Sequence, residues 1–421
     1  MSGHRLGRAQ CRAQRLAVDS RDDDPCWIHS TAFSLPSRAV PESSSARYVG
    51  DGQPAAPTSI DLRGAAVRDS LDCAGLLQLN LCGSQLSQLP PLPTSLRFLL
   101  LRGCTRLSNL PTNLGALSQL EVLALRDCVS LATIAADLSR LRLLRKLDCW
   151  GCCLLTELPE LVGMQSLRCV AFGRCTSLAS LPAGLADLPT LHNLDLGALP
   201  QLEHLHFTLA GATSLRMLSL LDCESLIDLP SDAGRLSLLE ELDLGGCRQL
   251  VALPDQLAGL TSLRVLGLTG CVLLAGLPDD LGTLESLQTL TLNECLRLER
   301  LPTDVTGWSS LRVLSCRSCR QLARMPKLGA LHALYALDLW GASALESLPE
   351  DLGCVTTLRR LNLSKCVVLQ SLPDLKNLTS LKEIVLDGCY GLKQQTANGM
   401  YALRARVRGR LPPLLNWDYA E

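Results

Sequence analysis

The sequence predicts an α/β repeat solenoid: a horseshoe lined on its concave side by a parallel β-sheet and built on its convex side from turns, 3₁₀ segments and short helices. Three observations predict it. Leucine recurs with a period of about 24 residues over three-quarters of the chain. Within each period a short stretch alternates apolar and polar side chains, as a half-buried strand does. Hydrophobic residues make up 47% of the 421 residues and aromatics only 3%, so the core is aliphatic. A single repeat cannot bury its leucines alone, so stability is a sum over stacked neighbours.

Taken in order, residues 1–57 are rich in Ser, Pro, Arg and Asp and show no sustained period. Such a segment is expected not to fold alone. Its Arg5, Arg8, Arg12 and Arg15 precede any acid, which fits a basic tail or an organelle transit peptide. Residues 58–75 are the candidate N-terminal cap. The spacing Ile60, Val67, Leu71 predicts a short helix covering the open end of the solenoid.

The array itself spans 76–392, with fourteen starts from Leu76 to Leu381; from Leu96 to Leu381 the mean period is 23.75 residues. Nine units have 24 residues, and three, from Leu144, Leu311 and Leu358, have 23. Each reads L-x-x-L-x-L-x-x-C-x-x-L-x-x-L-P-x-x-L-x-x-L-x-x, as in Leu239 to Ser262. The part x-L-x-L-x is the predicted strand, leucines inward. The part after L-P suits turns and 3₁₀ segments.

A cysteine follows the strand at Cys104, Cys128, Cys152, Cys175, Cys223, Cys247, Cys271, Cys295, Cys319, Cys366 and Cys389, replaced elsewhere by Ser84, Leu199 and Ala342. A small side chain with a weak S–H donor can tuck under the turn and face its carbonyls. This structural Cys ladder is expected to be buried, protonated and inert. Beyond the array, 393–421 comprise a predicted capping helix at Thr396–Arg408, from the spacing of Met400, Leu403 and Val407, and a tail.

These units resemble the leucine-rich repeats of plant intracellular nucleotide-binding disease-resistance receptors, especially the Cys-containing class. The resemblance implies a leucine-rich-repeat horseshoe and a role in defence or other intracellular signalling. The nucleotide-binding module of those receptors is not matched, since no G-x-x-x-x-G-K-[ST] occurs. The function therefore has to be sought in the exposed positions of the repeat.

Charge offers no global attraction for nucleic acid or an anionic membrane, with 40 basic against 41 acidic residues. No run of about 18 apolar residues suggests a membrane span. The chain reads as cytoplasmic, its 20 cysteines being repeat positions rather than a disulfide framework. Two C-x-x-C matches, Cys149–Cys152 and Cys316–Cys319, follow from the repeat: the first Cys replaces a strand leucine and the second is the ladder Cys. No metal or cofactor is called for, because no four-ligand set converges. His204 and His206 read as exposed turn residues, and no nucleophile and base are spaced for catalysis. A catalytic residue is accordingly not assigned, and the chain reads as a non-enzyme.

The outward strand positions carry the functional reading. Arg102, Arg126 and Trp150 are expected to form one contact patch and Arg317 and Trp340 another, with Asp148 and Asp338 in the adjacent outward column. Gly173, Gly197 and Gly245 leave a low middle between them. Exposed Trp and Arg are frequent interface anchors, although a Trp can also lie flat over its neighbours. The expectation is a protein-recognition scaffold binding a protein or peptide on the concave face. The alternative is a substrate-recruiting adaptor of a larger enzyme complex such as a ubiquitin ligase.

Overall fold

The computed structural model describes residues 58–64 and 75–392, apart from 135–137, 159, 183, 206–208 and 210. The sequence readings for 1–57 and for the C-terminal helix and tail lie outside the described residues. Among the described residues, fifteen three-residue strands, from Ser59–Asp61 to Glu383–Val385, pair in chain order as one parallel sheet. The described residues form a β-solenoid of stacked leucine-bearing units, and no helix among them is long and apolar enough to cross a membrane.

Register follows from the leucines. Leu242, Leu266 and Leu290 sit opposite one another, because a one-residue slip would turn each buried leucine outward. Register survives the change of repeat length: Leu314 pairs Leu337 across a 23-residue unit. Seven of the nine 24-residue units place a 3₁₀ helix after the L-P segment, and none of the three 23-residue units has one among the described residues. The change of length is thus absorbed in the segment outside the strands, which leaves the sheet register intact.

The expected helix at Ile60–Leu71 is corrected at its start. Ser59–Asp61 is a strand paired to Gln78–Asn80, with Leu77 and Gln78 N–H groups both donating to Thr58 O. Ile60 packs against the core while Ser59 and Asp61 stay exposed. Alternation over three residues was enough to extend the sheet, and residues 65–74 lie outside the described residues.

Inside each unit the leucines stack on their equivalents. In the unit from Leu239, the side chains of Leu242, Leu244, Cys247, Leu250, Leu257 and Leu260 are all buried. Each buried leucine is worth roughly 1.5–3 kcal/mol. Trp308 fills the last leucine position of its unit, fully buried, and its Nε1–H donates to Leu281 O at 2.8 Å.

The cysteine sits at a sharp corner. In all fourteen array units the preceding residue has positive φ, from 54° at Ala198 to 79° at Gly270, and only seven of the fourteen are glycine. The left-handed backbone costs a non-glycine residue about 1–2 kcal/mol. It lets that residue's N–H continue the sheet ladder, as Gly246 N–H does to Thr269 O at 2.7 Å, while the next N–H, of Cys247, turns back to Leu244 O at 3.2 Å. The thiol then points at the neighbouring unit. Cys247 Sγ donates to Leu220 O at 3.3 Å, Cys271 to Leu244 O at 3.2 Å and Cys295 to Leu268 O at 3.1 Å. Burial pushes the Cys223 and Cys271 thiols up to about 12. A thiol–carbonyl bond is at most of the order of 1 kcal/mol, so the leucines carry the stability and the cysteines tie each corner to the unit before it.

On the opposite side the backbones nearly touch. A Cβ at Gly282 would stand 1.8 Å from Asp304 O, and one at Gly259 2.1 Å from Gly234 O. Glycine is required there because the obstacle is main chain. Gly282→Ala should lower stability by about 1–3 kcal/mol, measured by urea unfolding. Cys247→Asp, which buries a carboxylate against a carbonyl, should destabilise the array strongly, whereas Cys247→Ser keeps a donor and should cost far less. Equal unfolding midpoints for Cys247→Asp and the wild type would contradict the corner-tie reading.

Candidate functional site

The outward positions of the sheet build two separate tryptophan clusters with the same arrangement. Trp150 and Trp340 each follow a strand, Lys146–Asp148 and Ala336–Asp338, and each ring is approached by cations from the units on both sides. Arg126 lies 4.2 Å and Arg174 4.8 Å from the Trp150 ring centre. Arg317 lies 5.5 Å and Lys365 4.7 Å from that of Trp340. In both clusters the first cation is the outward residue of the preceding unit. The second is the left-handed corner residue of the following one, with φ of 58° at Arg174 and 59° at Lys365.

Arg174 and Lys365 are the residues that sequence reasoning missed. Their signal was present as a basic residue one position beyond the last outward strand residue, but only the corner geometry turns it toward the ring. Gly173 has a use beyond low relief, since a Cβ there would lie 2.7 Å from Trp150 Cδ1. The ring lies flat across it. Its counterpart beside Trp340 is the small, buried Ser364. Arg102 is half-buried in the same outward column, and its charge acts on both Arg126 and Asp148. Both tryptophans are half-buried rather than freely exposed, and cation–π contacts of this kind contribute about 0.5–2 kcal/mol.

Asp148 and Asp338 face outward as expected but are not exposed. They are 1% and 2% accessible, and Asp195 is 7%. Each turns an oxygen to the backbone two residues on: Trp150 N–H donates to Asp148 Oδ1 at 3.3 Å, Trp340 N–H to Asp338 Oδ1 at 3.0 Å, and Gly197 N–H to Asp195 Oδ1 at 3.0 Å. Two of them also make weak ion pairs, Lys146 Nζ at 3.9 Å from Asp148 Oδ2 and Arg317 Nε at 3.7 Å from Asp338 Oδ2. These carboxylates shape the floor beneath each tryptophan.

The middle of the sheet is acidic and poorly compensated. Burial pushes Asp243 up to about 6, with Asp222 and Asp195 adding repulsion. Burial and the charge of Asp243 push Glu241 up to about 7. Asp338 is likewise raised to about 6 by burial, against the opposing pull of its bond from Trp340 N–H.

Elsewhere, Cys149 and Cys316 occupy strand-leucine positions and are fully buried, while Cys152 and Cys319 donate to Leu125 O and Leu292 O. Among the described residues no group of three or more His, Cys, Asp or Glu is placed to hold a metal ion. His204 is partly exposed, its Nδ1 2.9 Å from Asp228 Oδ1; His206 lies outside the described residues.

A family model described as a leucine-rich repeat region matches residues 242–405. A comparison with curated proteins found no match. Among solved structures the chain is similar to a leucine-rich repeat protein of Leptospira interrogans, at 22% identity over 79% of this chain and 83% of that one, with a TM-score of 0.49. It is similar also to YopM from Yersinia enterocolitica, at 22% identity over 78% of each chain, TM-score 0.42. An internalin from Listeria monocytogenes aligns at 18% identity over 69% of this chain and 80% of that one, TM-score 0.42.

The raised carboxylates set a direction for pH dependence. A carboxylate whose folded pKa lies above its unfolded value binds more protons in the folded state, so its contribution to stability falls as pH rises. For Glu241 and Asp243 the window runs from about 4 to about 7. The melting temperature should fall between pH 5 and pH 8, and Glu241→Gln with Asp243→Asn should flatten the decline. A melting curve that rises with pH in that range would contradict the assignment.

Proposed function

We propose that the sheet's outward face is a recognition surface for a protein or peptide, engaged through the Trp150 and Trp340 clusters. The observation that carries this reading is the duplication. Four independent positions coincide twice: a buried aspartate, a tryptophan two residues on, an arginine from the preceding unit and a basic corner residue from the following one. A ring needed only for packing has no reason to be built the same way twice, eight strands apart. Each half-buried ring lies between its two flanking cations; Arg126 is itself buried, while Arg174 and Lys365 are exposed beside the rings. Trp and Arg together account for many interface anchors. At strand spacing the two clusters are about 38 Å apart along the sheet, a span of about 11 extended residues. The low middle at Gly173, Gly197 and Gly245 leaves room for that segment to cross.

The test compares the proteins retained by the full-length chain and by the Trp150→Ala/Trp340→Ala double variant, each first shown to unfold cooperatively. Loss of a specific set of proteins from the variant, with each single variant weakening retention by at least about tenfold, is the expected result. An identical set at unchanged recovery would sink the assignment.

A further inference from the structure

One residue per repeat stands immediately before the strand, at the other end from the tryptophans. Its backbone already belongs to the ladder, as Arg264 N–H donating to Glu240 O at 2.8 Å illustrates, so its side chain is held at the sheet's edge in register with its neighbours. Across the fourteen units this column holds seven arginines and a lysine against two glutamates. A chain of net charge -1 thus carries a strongly basic edge.

The two glutamates show what the edge does with a carboxylate. Glu121 is taken between the side chains of the units before and after it, Arg97 Nε at 2.6 Å and Arg145 Nη1 at 3.9 Å. Glu240 is taken between Arg216 at 2.8 Å and Arg264 at 3.3 Å. Beyond Arg264 the column continues with Gln288, Arg312, Tyr335, Arg359 and Lys382; its three cations are exposed, and it contains no acid. These three make no side-chain ion pair among the described residues, whereas the nearby Arg360 and Glu383 pair with each other at 3.9 Å.

We propose that the edge formed by Arg312, Arg359 and Lys382 docks a short acidic segment of a partner polypeptide. The partner's carboxylates pair with these cations as Glu121 and Glu240 pair with the arginines beside them. The three span three repeats, about 14 Å at strand spacing, or four to five extended residues. Arginine's planar fork favours carboxylate in this bridging geometry. A nucleic acid fits less well on two counts. A long polyanion following the column meets the Glu240 carboxylate, and the run contains a single aromatic, Tyr335, where single-strand binding uses successive stacking platforms.

The experiment is fluorescence anisotropy of a labelled, glycine-flanked hexaglutamate peptide titrated with the full-length chain. Charge reversal at Arg312→Glu, Arg359→Glu and Lys382→Glu should weaken binding by at least about tenfold, or 1.4 kcal/mol. The neutral set Arg312→Gln, Arg359→Gln, Lys382→Gln should weaken it to an intermediate extent, and added salt should weaken the wild type. A control with the same change in net charge on another surface, Arg106→Glu, Arg297→Glu and Arg324→Glu, should bind as the wild type does. Trp340→Ala should bind it normally too, which separates this edge from the tryptophan clusters. Circular dichroism confirms that each variant is folded. The proposal is overturned if the wild type does not bind the peptide, if the control set loses as much affinity as the edge set, or if an oligothymidylate of equal charge outcompetes the peptide.

Discussion

Everything in this molecule depends on one constraint: successive units must stack like on like at the spacing of a parallel sheet, about 4.8 Å. Each unit contributes three strand residues and too few leucines to form a core alone. Its apolar side chains are buried only when the equivalent side chains of the neighbours lie directly above and below. Any feature repeated in the sequence therefore becomes a column in space, and the column is the unit in which its chemistry acts. Leucine columns make the core. The corner column sets the bend, and half of its members accept a strained backbone because the ladder and the thiol beyond it require that conformation.

The constraint acts differently on the outward side. An inward position must repeat nearly the same residue, whereas an outward one is free to vary, so charge and aromatic groups can be placed unit by unit. Stacking brings those choices within contact distance. Arg126, Trp150 and Arg174 come from three consecutive units yet form one group, and Arg317, Trp340 and Lys365 repeat it. The same closeness has a cost where the choices are alike: burial raises Asp243, and the charges of Asp222 and Asp195 add repulsion to it. At the strand's other end, alternation of Glu121 and Glu240 with arginines relieves like-charge repulsion, and its absence beyond Arg264 leaves cations available.

How much of this could be read without coordinates differs by position. Period, strand positions and inward leucines were plain in the sequence, because burial by a twofold alternation leaves a direct mark on residue type. The strand at Ser59–Asp61 was not, since three residues carry too little alternation to outweigh the helical spacing of Ile60, Val67 and Leu71. The outward column containing Trp150 and Trp340 was visible, but Asp148 and Asp338 beside them are buried and turned onto backbone N–H groups, which a strand pattern alone presents as exposed.

The sequence by itself determined the architecture: a 24-residue period with paired strand leucines and a following cysteine admits a parallel solenoid and little else. The tertiary structure alone decided what the variable positions do. It showed that the residue before the cysteine is left-handed in every unit, that the thiol reaches back to the carbonyl of the preceding unit, and that Arg174 and Lys365 close over tryptophans 24 or 25 residues earlier. The physical reason is that side-chain identity within a repeat is a local property, whereas contact between repeats depends on register and on the direction in which each corner turns the chain.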